Sequence, residues 1–176
     1  IAREVLQSND VEIVIVDDAS TDSSASKLKD LASELLGITL IHHSTNLGSA
    51  AARNTALAHA HSDYVFFWDV DDLIHFKSIL DLLDLGQRYD LDIVGGQFQV
   101  SGAKDTKSSL LNLSEGVPSQ MSECRDQFLS DMGYWRYLYK RRFLTNNHLR
   151  FLPTFSEVGA YFILDDMFWM LLASAS

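Results

Sequence analysis

The chain has 176 residues, 47% of them hydrophobic, and a formal net charge of −10. That is enough length and apolar content for one domain with a real core, while the charge repels a phosphate backbone and excludes nucleic acid as a partner. The single cysteine, Cys124, excludes a disulfide framework and a Cys-rich metal site. No apolar run approaches the roughly 20 residues that span a bilayer, and no signal segment opens the chain, so it reads as soluble, in a reducing compartment.

IAREVLQSND, residues 1–10, resembles the second half of a helix more than a natural start, and residues upstream of Ile1 are expected. VEIVIV, 11–16, is β-branched and almost continuously apolar, the pattern of a parallel strand buried on both faces. It runs into Asp17-Asp18, then into Ser20, Thr21 and Asp22, whose turn and capping chemistry precedes the helical spacing of Leu28, Leu31, Leu35 and Leu36. Gly37 closes that helix. ITLIH (38–42) predicts a second strand, Ser49 to Ala60 a helix of small residues, and YVFFW (64–68) a third strand.

A helix carrying Ile79, Leu80, Leu82, Leu83 and Leu85 comes next, and DIVGGQFQV (92–100) reads as another strand. The alternation predicts an open α/β sheet. Residues 101–116 are polar and turn-rich, a surface excursion. A helix at about 121–131, a strand at about 134–140, a short helix at about 141–147, a loop and a final helix at about 164–173 complete the pattern.

In open α/β sheets ligands bind beyond the carboxyl ends of the strands, and two predicted strands end in acids: Asp17-Asp18, and Asp69-Val70-Asp71-Asp72. Carboxylates two apart leaving a strand can point to the same side, and hard oxygen ligands of that kind suit Mg2+ or Mn2+. A turn with a helix N-cap is the competing reading for Asp72. It accounts less well for Asp69 and Asp71, because three close acids repel one another unless a cation or basic group answers them. Trp135, Tyr137 and Tyr139 alternate along a predicted strand and share a packing face, with an acceptor groove as the other reading. The six histidines show no metal-ligand spacing and read as surface or capping residues. Lys140-Arg141-Arg142 reads as a solvated helix start, with an anionic acceptor or a membrane surface as the alternative.

WDVDDLI resembles the Asp-x-Asp signature of haloacid-dehalogenase phosphatases, but stands on the wrong strand and has Leu73 where Thr or Val is usual. VIVDD resembles response-regulator receivers, which do not explain the elements beyond residue 120. VDDASTDSS (16–24), NLGSAAARNTAL (46–57), FFWDVDDLI (66–74), WRYLYKRRFL (135–144) and LDDMFW (164–169) resemble, in order and spacing, family 2 glycosyltransferases of bacterial surface-glycan type.

That resemblance implies a single GT-A domain over 1–176, an α/β Rossmann-like fold with a mixed, mostly parallel sheet flanked by helices. The nucleotide would be bound by about 1–100 and the acceptor by about 101–176. It implies inverting transfer from a nucleotide-diphospho-sugar, a UDP-sugar, to a glycan or lipid-linked acceptor. The setting would be the cytoplasm, with peripheral association at the inner face of the membrane.

Residue by residue, the resemblance places Asp71 on a Mn2+ or Mg2+ ion with Asp69 assisting, at ribose or metal. Asp17 and Asp18 fall at the nucleobase or ribose, Arg53 near the base or diphosphate, and Asn46 and Gly48 in the NxG turn. Asp166 becomes the catalytic base and Asp165 its neighbour, with Phe155, Tyr161 and Phe162 as weaker acceptor candidates. The family's first strand and its Pro-x-Tyr-Asn-like turn are absent, and Ala19, Phe76 and Asp165 stand where Gly, Pro and Glu are usual. The competing readings are a degenerate nucleotide-sugar binding domain and a metal-dependent phosphatase with Asp69 as nucleophile.

Overall fold

A computed structural model describes residues 11–35, 37–96 and 133–152. The expected helix before residue 11, the excursion at 101–116, the helices at about 121–131 and 164–173, and Cys124, Phe155, Tyr161, Phe162, Asp165 and Asp166 lie outside the described residues. The chain divides into two units, Ile1–Asp63 with Arg150–Asp165, and Tyr64–Leu149 with Asp166–Ser176.

In the first unit β1 (Ile13–Asp17) lies parallel to β2 (Ile38–His42), pairing Ile13 with Ile38 through Asp17 with His42. The crossover between them carries α1 (Ser24–Glu34), which packs against β2. The N-cap position is Ser23, which makes no side-chain cap bond; Asp22 instead accepts the N–H of Ser24 at 2.8 Å in an Asx turn just ahead of the helix. Then α2 (Ser49–His59) packs on β1 and buries Ala50 and Leu57, two turns apart on one face. The small residues around them let the helix approach closely. Glu12 ties down the far end of α2, its carboxylate accepting the N–H groups of His61 and Ser62 at 2.6 Å each. Asn54 clamps Phe151, donating to its carbonyl at 2.7 Å and accepting its N–H at 2.9 Å.

Ile13 to Val16 are half-buried rather than fully covered as their apolar run predicts. Among the described residues β1 is paired along one edge only, by β2, which leaves part of its surface accessible.

In the second unit β5 (Tyr137–Lys140) is the middle strand, antiparallel to β3 (Tyr64–Phe66) on one side and to β4 (Ile93–Gly95) on the other. All four β5 residues are buried. Helix α3 (Phe76–Arg88) covers β4 and β5, and the short α4 (Arg141–Asn146) follows β5 directly. At Gly86 the helix meets the ring of Tyr64, whose hydroxyl reaches the carbonyls of Gly86 at 2.7 Å and Leu91 at 2.9 Å.

Two readings need correction here. Trp135 is not on the strand with Tyr137 and Tyr139: residues Tyr134–Arg136 form a 3-10 turn, and only the two tyrosines share the packed core, their rings 6.1 Å apart. Lys140 is not part of a solvated helix start. It ends the central strand opposite Tyr64, is buried, and gives its ammonium to the carbonyl and carboxylate of Asp90, with Arg142 also on that carboxylate. The stem of a lysine on an interior strand has nowhere to go but through the core to the nearest acceptor. Among the described residues no helix is long and apolar enough to cross a membrane.

Candidate active site

The acids that end β1 are built into the first unit. Asp17 is buried; Oδ1 accepts the N–H of Ser20 at 3.2 Å and Oδ2 lies 3.0 Å from His42 Nδ1. The Ser20 and His42 hydrogen bonds hold its carboxyl below the usual range, against the opposing effect of burial.

Asp18 reaches further along the chain. Its Oδ1 lies 2.6 Å from His43 Nδ1 and 2.9 Å from the N–H of Leu47, and its Oδ2 accepts from Gly48 at 2.7 Å. Burial alone would raise this carboxyl, but the bonds from Leu47, His43 and Gly48 outweigh it and hold it low. The carboxylate therefore clasps the 46–48 loop that leads into α2.

Within that loop Asn46 is exposed. Gly48 is there because its φ is +88°, a conformation that side chains rarely adopt. A Cβ would meet nothing within 4 Å, so the glycine answers to its own backbone and not to a close neighbour. One turn into α2, Arg53 is half-buried, donating to Ser49 Oγ at 3.3 Å with its guanidinium 5.4 Å from the centre of the Phe151 ring.

The second cluster lies wholly within the second unit. Beyond β3 the buried Phe67 gives way to an exposed Trp68 and the turn 69–72, closed by the N–H of Asp72 on the carbonyl of Asp69 at 3.0 Å and by Trp68 Nε1 on the carbonyl of Asp72 at 3.1 Å. Asp69 is half-buried, and its Oδ2 accepts the hydroxyl of the buried Tyr134 at 2.5 Å. Asp71 is exposed and, among the described residues, makes no hydrogen bond or ion pair. The Asp72 carboxyl is pushed up by partial desolvation and then by the charges of Asp71 and Asp69. The turn thus brings three carboxylates close together, and among the described residues Asp71 meets no donor.

That donor set fits a hard divalent cation. Among the described residues no three His, Cys, Asp or Glu side chains converge on a metal site. The turn would supply one or two carboxylates and leave the rest of the shell to ligand phosphates and water, as Mg2+ sites commonly do.

Four participants are missing from the reading by spacing: His42, His43, Thr55 and Tyr134. His43 lies between Asp18 and Thr55, its Nε2 2.9 Å from Thr55 Oγ1. The signal for the histidines is present in the sequence as register: parallel pairing of VEIVIVDD with ITLIHH from Ile13–Ile38 onward puts each histidine beside one aspartate. Tyr134 has no such signal, because it depends on the antiparallel return of β5.

A family model described as glycosyl transferase family 2 matches residues 2–168. The chain belongs to this family. Among curated relatives of this family 2 chain, the poly(ribitol-phosphate) beta-N-acetylglucosaminyltransferase TarP of Staphylococcus aureus is 31% identical over 104 residues, 58% of this chain and 31% of its own length. The glycosyltransferase EpsJ of Bacillus subtilis is 28% identical over 151 residues, 81% of this chain and 43% of its own. This chain thus spans less than half of either relative. Among solved structures, S. aureus TarS 1-349 in complex with UDP superimposes with a TM-score of 0.74 at 19% identity, covering 99% of this chain and 50% of that one. The likeness shows the GT-A fold, in keeping with the expected mixed α/β architecture.

Proposed function

We propose that the chain provides the donor-binding face and the base of an inverting glycosyltransferase that moves a sugar from a UDP-sugar to a glycan or lipid-linked acceptor. The observation that carries the reading is the acidic turn after β3, where Asp71 has no partner among the described residues and Asp69 is held by Tyr134, in a chain of glycosyltransferase family 2. TarS structures in complex with UDP and with UDP-GlcNAc support the donor. Relatives named for poly(ribitol-phosphate) support a polymeric acceptor.

Asp71 would hold Mg2+ or Mn2+ with Asp69 assisting, and the ion when bound neutralises charge gathering on the departing diphosphate. The hydroxyl of Tyr134 keeps Asp69 oriented, and the main chain of Asp72 fixes the turn. Asp17 serves the nucleoside and Arg53 the base or diphosphate, while Asp18 and Gly48 shape the loop between them in sequence. Asp166 takes the proton from the acceptor hydroxyl, since inverting displacement needs a base there and no enzyme nucleophile. Its support is the late LDD block.

The test is a panel of UDP-, GDP- and CMP-sugars with Mn2+ and the protein that carries this chain. Turnover should be confined to UDP-sugars, fall about 10²–10³-fold in Asp71→Asn, and be abolished in Asp166→Asn with donor binding retained. Wild-type transfer by Asp166→Asn would overturn the base assignment. Binding without turnover by the wild type would select the degenerate domain, and a phosphoenzyme trapped at Asp69 would sink the glycosyltransferase reading in favour of the phosphatase.

A further inference from the structure

We propose that His43 is a positioning residue for the donor loop, acting through Asp18 and anchored by Thr55; the inference rests on the donor-binding reading above. The argument begins with a closed circuit within the first unit. Asp18 follows β1, His43 follows β2, and the parallel register that pairs Asp17 with His42 sets these next two residues side by side. The His43 side chain is only 9% exposed, with Nδ1 2.6 Å from Asp18 Oδ1 and Nε2 2.9 Å from Thr55 Oγ1. Thr55 lies on α2, and α2 begins at the loop whose Leu47 and Gly48 N–H groups return to Asp18. Strand end, ring, helix and loop therefore hold one another.

The proton positions follow from the chemistry of the partners. An ionised carboxylate only accepts, so His43 Nδ1 carries a proton toward Asp18. In the neutral ring Nε2 then accepts from the hydroxyl of Thr55. With Leu47 bridging its two oxygens, and His43 and Gly48 on opposite ones, the Asp18 carboxylate is occupied by the chain itself. Its part in the loop is to hold Leu47 and Gly48 in place. Without His43 the carboxylate would lose the ring that fixes its direction, and its bonds to the Leu47 and Gly48 N–H groups would loosen with it. Gly48, already at a φ of +88°, would lose the constraint that holds it there. The loop would then have to be ordered at the moment of donor binding, which weakens binding and leaves chemistry alone.

Two substitutions separate the halves of the ring. Asparagine places an amide nitrogen near the position of Nδ1 and can still donate to Asp18, whereas glutamine reaches the Nε2 position and Thr55. In His43→Gln, amide exchange at Leu47 and Gly48 should quicken about tenfold or more, and the donor KM should rise about tenfold with kcat within about twofold. His43→Asn should restore both. Unchanged amide protection in a folded His43→Gln protein overturns the inference. So does lost protection with an unchanged donor KM, in a protein whose wild type transfers sugar normally. Absence of turnover by the wild type with every sugar nucleotide would instead overturn the donor reading on which the inference rests, and the exchange measurement would be unaffected by it.

Discussion

Asp18 offers the sharpest test of the idea that a strand-end acid is part of the scaffold. In Asp18→Ala the Leu47 N–H, which is exposed, finds water, but the half-buried Gly48 N–H and the buried ring of His43 lose their acceptor. Two stranded donors at about 1–3 kcal/mol each give a loss of about 3–4 kcal/mol. Asp18→Asn is milder for a reason that can be followed atom by atom. The asparagine oxygen at the Oδ2 position keeps the Gly48 N–H while the amide at the Oδ1 position donates to His43 Nδ1, because the imidazole can move its proton to Nε2 and donate to Thr55; the Leu47 N–H loses its shorter bond, to Oδ1. The buried partners remain satisfied, the exposed Leu47 N–H turns to water, and the charge assistance is lost, about 1 kcal/mol. Urea unfolding at neutral pH should therefore rank wild type, Asn and Ala in that order, with the larger gap before Ala. The gap between wild type and Asn should also depend on pH. The folded carboxyl is held below its ordinary value of 3.8, so its contribution is fully present above that value and disappears as pH falls through the lower folded one. Equal losses in Asn and Ala, or a wild-type-to-Asn gap that stays constant from pH 7 down to the acid limit, would refute the argument.

Tyr134→Phe removes the hydroxyl on Asp69 Oδ2 and should weaken Mn2+ binding about 10- to 100-fold, as loss of an outer hydrogen bond to a metal ligand does; unchanged affinity in a Mn2+ titration followed by electron paramagnetic resonance would count against it. Gly86→Ala sets a helix gain of about 1 kcal/mol against a Cβ only 3.0 Å from Tyr64 Cε1, on a ring pinned by its hydroxyl. The clash should win by about 1 kcal/mol, and the sign should reverse in a Tyr64→Leu background; destabilisation in both backgrounds would remove Tyr64 as the cause. Ala19 has a φ of 59°, in the left-handed region. Relief of about 1–2 kcal/mol of strain, less the greater freedom of an unfolded glycine, should make Ala19→Gly about 0.5 kcal/mol more stable; a lowered melting temperature would contradict that balance.

What the sequence makes legible follows from the range of the interactions involved. Among the described residues the apolar strands, the two helices with their leucine spacing and the turn at Asp22 are set by neighbours a few residues away, and they stand within a few residues of where the pattern puts them. The middle position of β5 is not legible, because YLYK carries the same tyrosine and leucine pattern whether it ends a sheet or divides one. Only the pairing of Tyr139 with both Val65 and Ile93 tells them apart. The buried Lys140 follows from that placement and is equally invisible beforehand.

The acids show the same limit at the level of single side chains. Asp18 and Asp71 both leave an apolar strand with an acidic neighbour close by, and nothing local distinguishes a carboxylate that holds the chain from one that awaits a ligand. The difference lies in who supplies the donors. For Asp18 they come from N–H groups 29 and 30 residues further on and a histidine just past the adjoining strand, brought there by parallel pairing. For Asp71, among the described residues, no donor comes, and its charge adds to the desolvation that raises the pKa of Asp72. A family block assigns both acids to the ligand. Accounting for donors shows one already tied to the loop and leaves the other, among the described residues, exposed without a donor, which is the condition a carboxylate must meet to take a cation from water.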